Sequence, residues 1–142
     1  MRFDGLLRAH AFMKVERPPD IWEADTEDVR FVPLLGEMIA AGLSKGAPLE
    51  ELTLNVSNVV VERDPDDDPS PPSAGEYVAV TVSGNADFGP DSTWPARPGT
   101  AVSDLLVRLK ERLATAGARY AYTRRLPQAG SLTVFLPRLR TN

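Results

Sequence analysis

Two apolar stripes at helical spacing constrain the fold of this chain most. The first comprises Phe31, Leu34, Leu35, Met38, Ile39 and Leu43, and the second comprises Leu105, Leu106, Leu109, Leu113 and Ala116. Ser103 is a suitable N-cap for the second helix, and Gly46 and Gly117 predict where the two helices stop. Pro33 fits only near a first turn, which predicts a break between a short turn and the main helix. Each stripe requires another layer of structure to cover it.

Alternating residues predict strands that supply this layer. Apolar and polar residues alternate over 52–57, and a change of apolar phase at 59–61 predicts a bulge near Asn58. A second strand is predicted over 77–83, with Val78, Val80 and Val82 facing inward. Strands over 120–123 and 132–136 are predicted to form a closing hairpin, joined through Pro127 and Gly130.

The order of these elements predicts an α+β fold, a two-layer α/β sandwich. We expect a mixed or antiparallel sheet of at least four strands, with the two main helices on one face. Residues 1–17 are treated as an N-terminal extension, in which either a helix through Phe3, Leu7, Ala11 and Lys14 or a strand from His10 to Glu16 fits the sequence. Residues 18–142 are predicted to form a single domain.

Charge is distributed unevenly along the chain. Residues 1–91 hold 7 basic and 18 acidic side chains, whereas residues 92–142 hold 9 basic and 2 acidic ones, a net charge of +7. The basic cluster of Arg124, Arg125, Arg138 and Arg140 is either a solvated face or a site for phosphate or an acidic partner. The acidic, proline-rich segment 64–72 is interpreted as a solvated hairpin tip.

Several classes of function are disfavoured by the sequence. The chain has no cysteine and its one histidine is His10, which argues against thiolate chemistry, a histidine metal site and a catalytic triad. It has no basic stretch interleaved with aromatic residues, so nucleic acid is not an expected partner. It has no apolar run of membrane-spanning length and no leader-like start, so we expect a cytoplasmic protein without membrane contact.

A long loop, predicted over 85–99, carries the most distinctive motif, Asp87-Phe88-Gly89-Pro90-Asp91. Asp87 and Gly89 suit either close approach to a ligand or a simple turn. Trp94 and Phe88 are candidate contacts for a partner, as are Arg124 and Arg125; alternatively, Trp94 folds back onto the core.

These motifs, in their order, resemble the Bergerat-type ATP-binding domain of the GHKL superfamily, which includes sensor histidine kinases and anti-sigma serine kinases. The resemblance runs from about residue 18 to residue 137. The segment 34–43 is similar to the helix of the N box, and 87–91 is similar to the Asp-x-Gly-x-Gly box. Gly99 and Thr100 occupy the place of a second glycine box.

The resemblance implies a role for each matching residue. Asp87 would accept a hydrogen bond from the adenine amine, with Gly89 allowing close approach to the base. Glu37 would be either a catalytic base or an ordinary solvent-facing acid. The asparagine that holds magnesium in the family is replaced by Ala41, whose methyl group cannot coordinate a hard cation. Asp91 replaces the last glycine of its box and adds negative charge where phosphates would approach.

The sequence therefore predicts a degenerate nucleotide-binding fold without a metal site or catalytic residues. We expect it to act through contacts with a protein partner or through self-association, with ATP as a possible ligand and no cofactor required. An ATP-binding regulatory serine kinase of the anti-sigma type is the first alternative. An unrelated α+β interaction module, for instance a homodimer joined through a sheet edge, is the second.

Overall fold

The computed structural model describes residues 1–43, 48–62, 71–97, 99, 101–127 and 129–140. Its helices are α1 (Phe3–Ala9), α2 (Asp28–Leu43) and α3 (Asp104–Thr115), and a 3₁₀ turn spans Leu49–Glu51. Its strands are β1 (Lys14–Glu16), β2 (Thr53–Val61), β3 (Gly75–Gly84), β4 (Ser92–Trp94), β5 (Tyr120–Leu126) and β6 (Ala129–Pro137).

The strands form one six-stranded sheet in the order β1-β2-β3-β6-β5-β4. β1 pairs parallel to β2, and all other neighbours are antiparallel. The apolar stripes of the helices, with the exception of Leu43, and the inward side chains of the strands form one buried cluster between the two layers. The prediction for Leu43 is wrong, because this residue ends α2 and is 38% exposed. The predicted α+β two-layer sandwich is confirmed, with a mixed sheet.

Helix α3 begins and ends where the sequence predicts. The Ser103 hydroxyl accepts a hydrogen bond from the Leu106 N–H at 3.1 Å, as an N-cap should, and Gly117 has a φ of +75°. Helix α2, however, runs unbroken through Pro33, so the predicted break is wrong. Pro33 lies on the exposed side one turn after Val29, which is 74% exposed, so water can satisfy the carbonyl that the proline leaves without a donor. The predicted stop of α2, Gly46, lies outside the described residues.

Strand β2 pairs with β3 without interruption from Thr53↔Ser83 to Val61↔Gly75, so the predicted bulge near Asn58 is wrong. The apolar phase changes because the sheet is packed on both faces at this end. Val59 and Val61 pack against a second cluster on the face opposite the helices, which we call the open face. Tyr77, Ala79 and Phe135 form the buried part of that cluster.

A helix and a strand occur in succession in the N-terminal segment, and each is shorter than the alternative predicted for it, since α1 ends at Ala9 and β1 begins at Lys14. α1 buries Phe3 and Leu7 in the main core, with the Phe3 ring 6.1 Å from the ring of Phe31. β1 then pairs with β2 at the edge of the sheet. Residues of the segment 1–17 thus share a core and a sheet with the rest of the chain.

The C-terminal strands are longer than predicted, and an extra strand lies beside them. Gly130 does not belong to the hairpin turn but lies within β6, opposite Arg125 on β5 and Gly84 on β3. The segment 85–99, predicted as a long loop, contains β4, which pairs with β5 through three residues. A run this short carries too little alternation to be recognised as a strand.

Candidate functional site

A cavity of about 510 Å³ opens on the helix side of the sheet, where the last turn of α2 and the first turn of α3 approach the loop after β3. We call it the helix-side cavity. It is lined by Ala41, Asp87, Phe88, Gly89, Pro90, Asp104, Leu105, Arg108 and Arg125. The structure therefore brings together five of the residues predicted from the sequence. These are Ala41 from α2, then Asp87, Phe88 and Gly89 from the loop that follows β3, and Arg125 from β5.

The Asp87 carboxylate is engaged within the chain. Its Oδ1 accepts the backbone N–H of Gly89 at 2.8 Å, which closes a local turn. The Arg125 guanidinium donates to both oxygens, through Nη2 at 3.0 Å to Oδ1 and 3.3 Å to Oδ2. Both side chains are 54% exposed. The carboxylate that the resemblance assigns to an adenine amine is thus paired with an arginine on β5.

Gly89 is required here by both conformation and space. Its φ of +100° is unfavourable for other residues, and a Cβ at this position would lie 3.0 Å from the Cβ of Ser103. The adjacent Phe88 is buried, with 2% of its surface exposed. Its ring therefore belongs to the core beneath the cavity, and the predicted contact of Phe88 with a partner does not fit this burial.

A chain of buried hydroxyl groups fixes the loop against α3. The Ser92 Oγ accepts the Ser103 N–H at 3.1 Å and lies 2.9 Å from the Thr123 Oγ1. The Thr123 hydroxyl donates to the Pro90 carbonyl at 2.7 Å, so the proton between the two hydroxyls belongs to Ser92. This network holds the loop that follows β3 together with β4, with β5 and with the start of α3. It thereby positions the walls of the cavity.

A second cavity of about 320 Å³ adjoins the first and shares Ala41, Leu105 and Arg108 with it. Glu37 lines this second cavity and not the first, and the Arg112 Nε lies 2.9 Å from its Oε1. The predicted base is thereby paired with a cation on α3. Arg108 lines both cavities, and no acidic side chain among the described residues lies within ion-pair distance of it.

The remaining residues of the nucleotide motifs lie elsewhere. Gly99 is exposed with a φ of +80° and does not line the helix-side cavity, and Thr100 lies outside the described residues. Asp91, expected to face phosphates, accepts the backbone N–H of Arg125 at 2.7 Å. Asp91 thus holds the end of β5, next to the turn of the last hairpin.

A third cavity, of about 420 Å³, lies on the open face and is called the open-face groove. Tyr120, Tyr122 and Phe135 line it together with Arg97 and Arg124. Trp94, by contrast, is half-buried and packs against the main core. Of the predicted partner contacts, only Arg124 lies at this groove.

Sequence reasoning missed several lining residues. Tyr120 and Tyr122 carry a usable signal, because residues two apart on a strand face the same side. Asp104 and Arg108 carry a weaker one, because their spacing of four places them on the same side of α3. No sequence pattern indicates that Arg97 lines the open-face groove, since its position depends on the path of an irregular loop.

The described part of the chain contains no group of three or more His, Asp or Glu residues close enough together to hold a metal ion. Within the same residues, no helix combines the length and the apolarity needed to cross a bilayer. In comparisons with known proteins, the sequence matches no family model and none of the curated proteins.

Proposed function

We propose that this protein is a non-catalytic module that acts through protein contacts, built on a degenerate nucleotide-binding scaffold. One observation carries the proposal. The helix-side cavity has a methyl group, from Ala41, where the resemblance requires a metal-binding amide, and its candidate base-recognition residue, Asp87, is paired with Arg125.

The chemistry of the cavity supports the absence of phosphoryl transfer. That reaction depends on metal ions that bridge the phosphates and on a positioned base. Alanine supplies no oxygen ligand, and the base that the resemblance assigns, Glu37, lines the neighbouring cavity and pairs with Arg112.

Isothermal titration with ATP, in magnesium and separately in EDTA, tests this proposal. We expect no heat of binding that depends on magnesium, because the cavity offers no metal ligand at Ala41. Tight binding of ATP that requires magnesium would contradict it. Light scattering on the same sample distinguishes self-association from dependence on a different partner, including the alternative of a homodimer joined through a sheet edge.

A second candidate is an ATP-binding regulatory serine kinase of the anti-sigma type. It is favoured by the observation that Ala41, Asp87 and Gly89 surround one cavity, whose volume falls in the range of small-molecule sites. If this candidate is correct, Asp87→Asn should sharply weaken the binding of ATP. An absence of any ATP binding by the unmodified protein would end it.

A further inference from the structure

Helix α2 differs from α3 in having apolar side chains on its outer side as well as on its inner side. Of its sixteen residues, only Asp28, Arg30 and Glu37 carry polar side chains, whereas half of the twelve residues of α3 are polar. The inner side of α2 packs in the main core. A helix that is apolar all round is normally covered on all sides, so we expect the outer side of α2 to have a partner.

The outer side of α2 carries a continuous apolar stripe, which we call the outer stripe. With 3.6 residues per turn, its members fall within an arc of about 100° on the side of the helix away from the core. All of them are exposed. Contiguous exposed apolar surfaces mark interaction sites, whereas apolar residues scattered singly over a surface do not. The outer stripe consists of Val29, Val32, Pro33, Gly36, Ala40 and Leu43.

We propose that the outer stripe is the interface of a homodimer, in which α2 packs antiparallel against α2 of a second copy of this chain. The inference rests on the proposed function and deepens it, because it names self-association as the protein contact and gives the surface that makes it. This dimer differs from one joined through a sheet edge, since α2 belongs to the helix layer.

The spacing of the outer stripe points to a second copy as the partner. Positions 29, 32, 36, 40 and 43 are separated by steps of 3, 4, 4 and 3 residues, so this set is symmetric about Gly36. A two-fold axis beside Gly36 therefore places Val29 opposite Leu43. The same axis places Val32 opposite Ala40. The stripe thus meets itself, and a surface that is complementary to itself is what a two-fold dimer requires.

The centre of the outer stripe allows the two helices to approach closely. Gly36 has no side chain, and a Cβ built there would meet nothing within 4 Å, so the surface around it is open to a second helix. Small side chains at a crossing point bring helix axes to about 8 Å from each other. Antiparallel packing also sets the positive N-terminal end of each helix beside the negative C-terminal end of the other. Val29 lies at the end of the stripe, so its carbonyl keeps access to water.

The charged side chains of α2 lie beside the outer stripe and not on it. Glu37 pairs with Arg112 at 2.9 Å, and the Arg30 Nε lies 3.9 Å from the Glu27 Oε1. Asp28 lies in the first turn, where an acid is favourable. A second helix can therefore cover the stripe without burying an unpaired charge, which would be costly.

Sedimentation velocity over a range of protein concentrations tests the inference. We expect a monomer–dimer equilibrium with a micromolar dissociation constant, since one pair of helices buries less area than a standard interface. Val32→Glu should raise this constant at least about tenfold, because the dimer would bury two unpaired carboxylates. Val107→Glu is the matched control, at a 51% exposed position of α3, and should leave the constant within about twofold.

Disulfide cross-linking locates the two-fold axis, because the chain has no cysteine of its own. On oxidation, Gly36→Cys should form a covalent dimer, since position 36 meets its own copy at the axis. Val29→Cys should not, because its copy lies fourteen positions, or about 21 Å, further along the helix pair. A double variant with Val29→Cys and Leu43→Cys should cross-link again.

Three results would each overturn the inference. These are a protein that stays monomeric up to about 1 mM, a dimer that Val32→Glu weakens no more than Val107→Glu does, and cross-linking of Val29→Cys as rapid as that of Gly36→Cys. Thermal melts confirm that each variant is folded. A monomer would still leave contact with a different protein in place, and none of these outcomes bears on ATP, so the magnesium-dependent titration decides the proposed function separately.

Discussion

Two arginines on the helix-covered face of the sheet pair with acids of the same chain, whereas on the open face an arginine lies over an aromatic ring. At the helix-side cavity Arg125 pairs with Asp87, and at the adjoining cavity Arg112 pairs with Glu37. At the open-face groove, Arg124 lies over Tyr122. The comparison teaches that a cavity indicates a function only together with the partners that its charged side chains already have within the chain.

The largest expected effect tests whether the covered face holds the fold together. Phe31→Ala should lower the free energy of unfolding by about 3–5 kcal/mol, because it leaves a hole in a fully buried core. Tyr122→Ala, on the open face, should cost less than about half as much, because its ring is partly exposed. Urea unfolding measures both. Equal losses in the free energy of unfolding would show that the two faces contribute alike to stability, which would contradict the difference between them.

The next effect concerns the floor of the helix-side cavity. A Cβ on Gly130 would lie 2.3 Å from the Ala86 carbonyl oxygen and 3.2 Å from the Phe88 ring. Gly130→Ala should therefore cost about 3 kcal/mol, since the backbone of the loop after β3 would have to move.

Gly36→Ala is the matched control, because a Cβ there meets nothing within 4 Å on the exposed side of α2. It should raise the stability by about 0.5–1 kcal/mol. Thermal unfolding followed by circular dichroism separates the two variants. A Gly130→Ala protein as stable as the unmodified one would mean that the loop is not held against β6 as described.

A smaller effect is expected from the buried hydroxyl network that positions the cavity walls. Thr123→Val preserves shape but leaves the Pro90 carbonyl and the Ser92 hydroxyl without their partner, and should cost about 2 kcal/mol. Thr93→Val, on the open side of β4, should change the stability by less than about 0.5 kcal/mol, since the Thr93 hydroxyl makes only an exposed contact at 3.3 Å. Chemical denaturation measures the free energy of unfolding of both variants. Similar losses in the two would argue against a positioning role for the network.

The smallest effect concerns the ion pair at the mouth of the cavity. Asp87→Asn should lower the stability by less than about 1 kcal/mol, because both partners are half-exposed and screened by solvent. The asparagine oxygen can still accept the Gly89 N–H, so the turn should persist. A loss larger than about 2 kcal/mol in urea unfolding would show that this pair is a structural element rather than a neutralised remnant.

The sequence predicted the layers of the fold well because its periodic signals were strong. The cap at Ser103, the stop at Gly117 and the inward valines of β3 each follow from local rules, and the structure confirms them. The prediction of a bulge near Asn58 is wrong because both faces of the sheet are buried at this point. The alternation over residues 52–57 indicates one buried face, whereas Val59 and Val61 pack on the second face.

The candidate site was less predictable because its partners are distant in the sequence. Asp87 and Arg125 are 38 positions apart, and they meet because Gly84 on β3 lies opposite Gly130 on β6, which lies opposite Arg125 on β5. The local pattern predicted the turn at Gly89 but contained no sign that an arginine would occupy the carboxylate. The aromatic groove likewise arises from the register of β5 against β6, which no local pattern specifies.

The most direct test of the account is an amide NMR titration of the protein with ATP, in magnesium and then in EDTA. The signals of Phe88, Gly89 and Arg125 report on the helix-side cavity, because these residues line it. The account predicts that no magnesium-dependent shift occurs at these positions, since Ala41 offers the metal no ligand and Asp87 stays paired with Arg125. Saturable shifts of these three signals that disappear when EDTA removes the magnesium would contradict it.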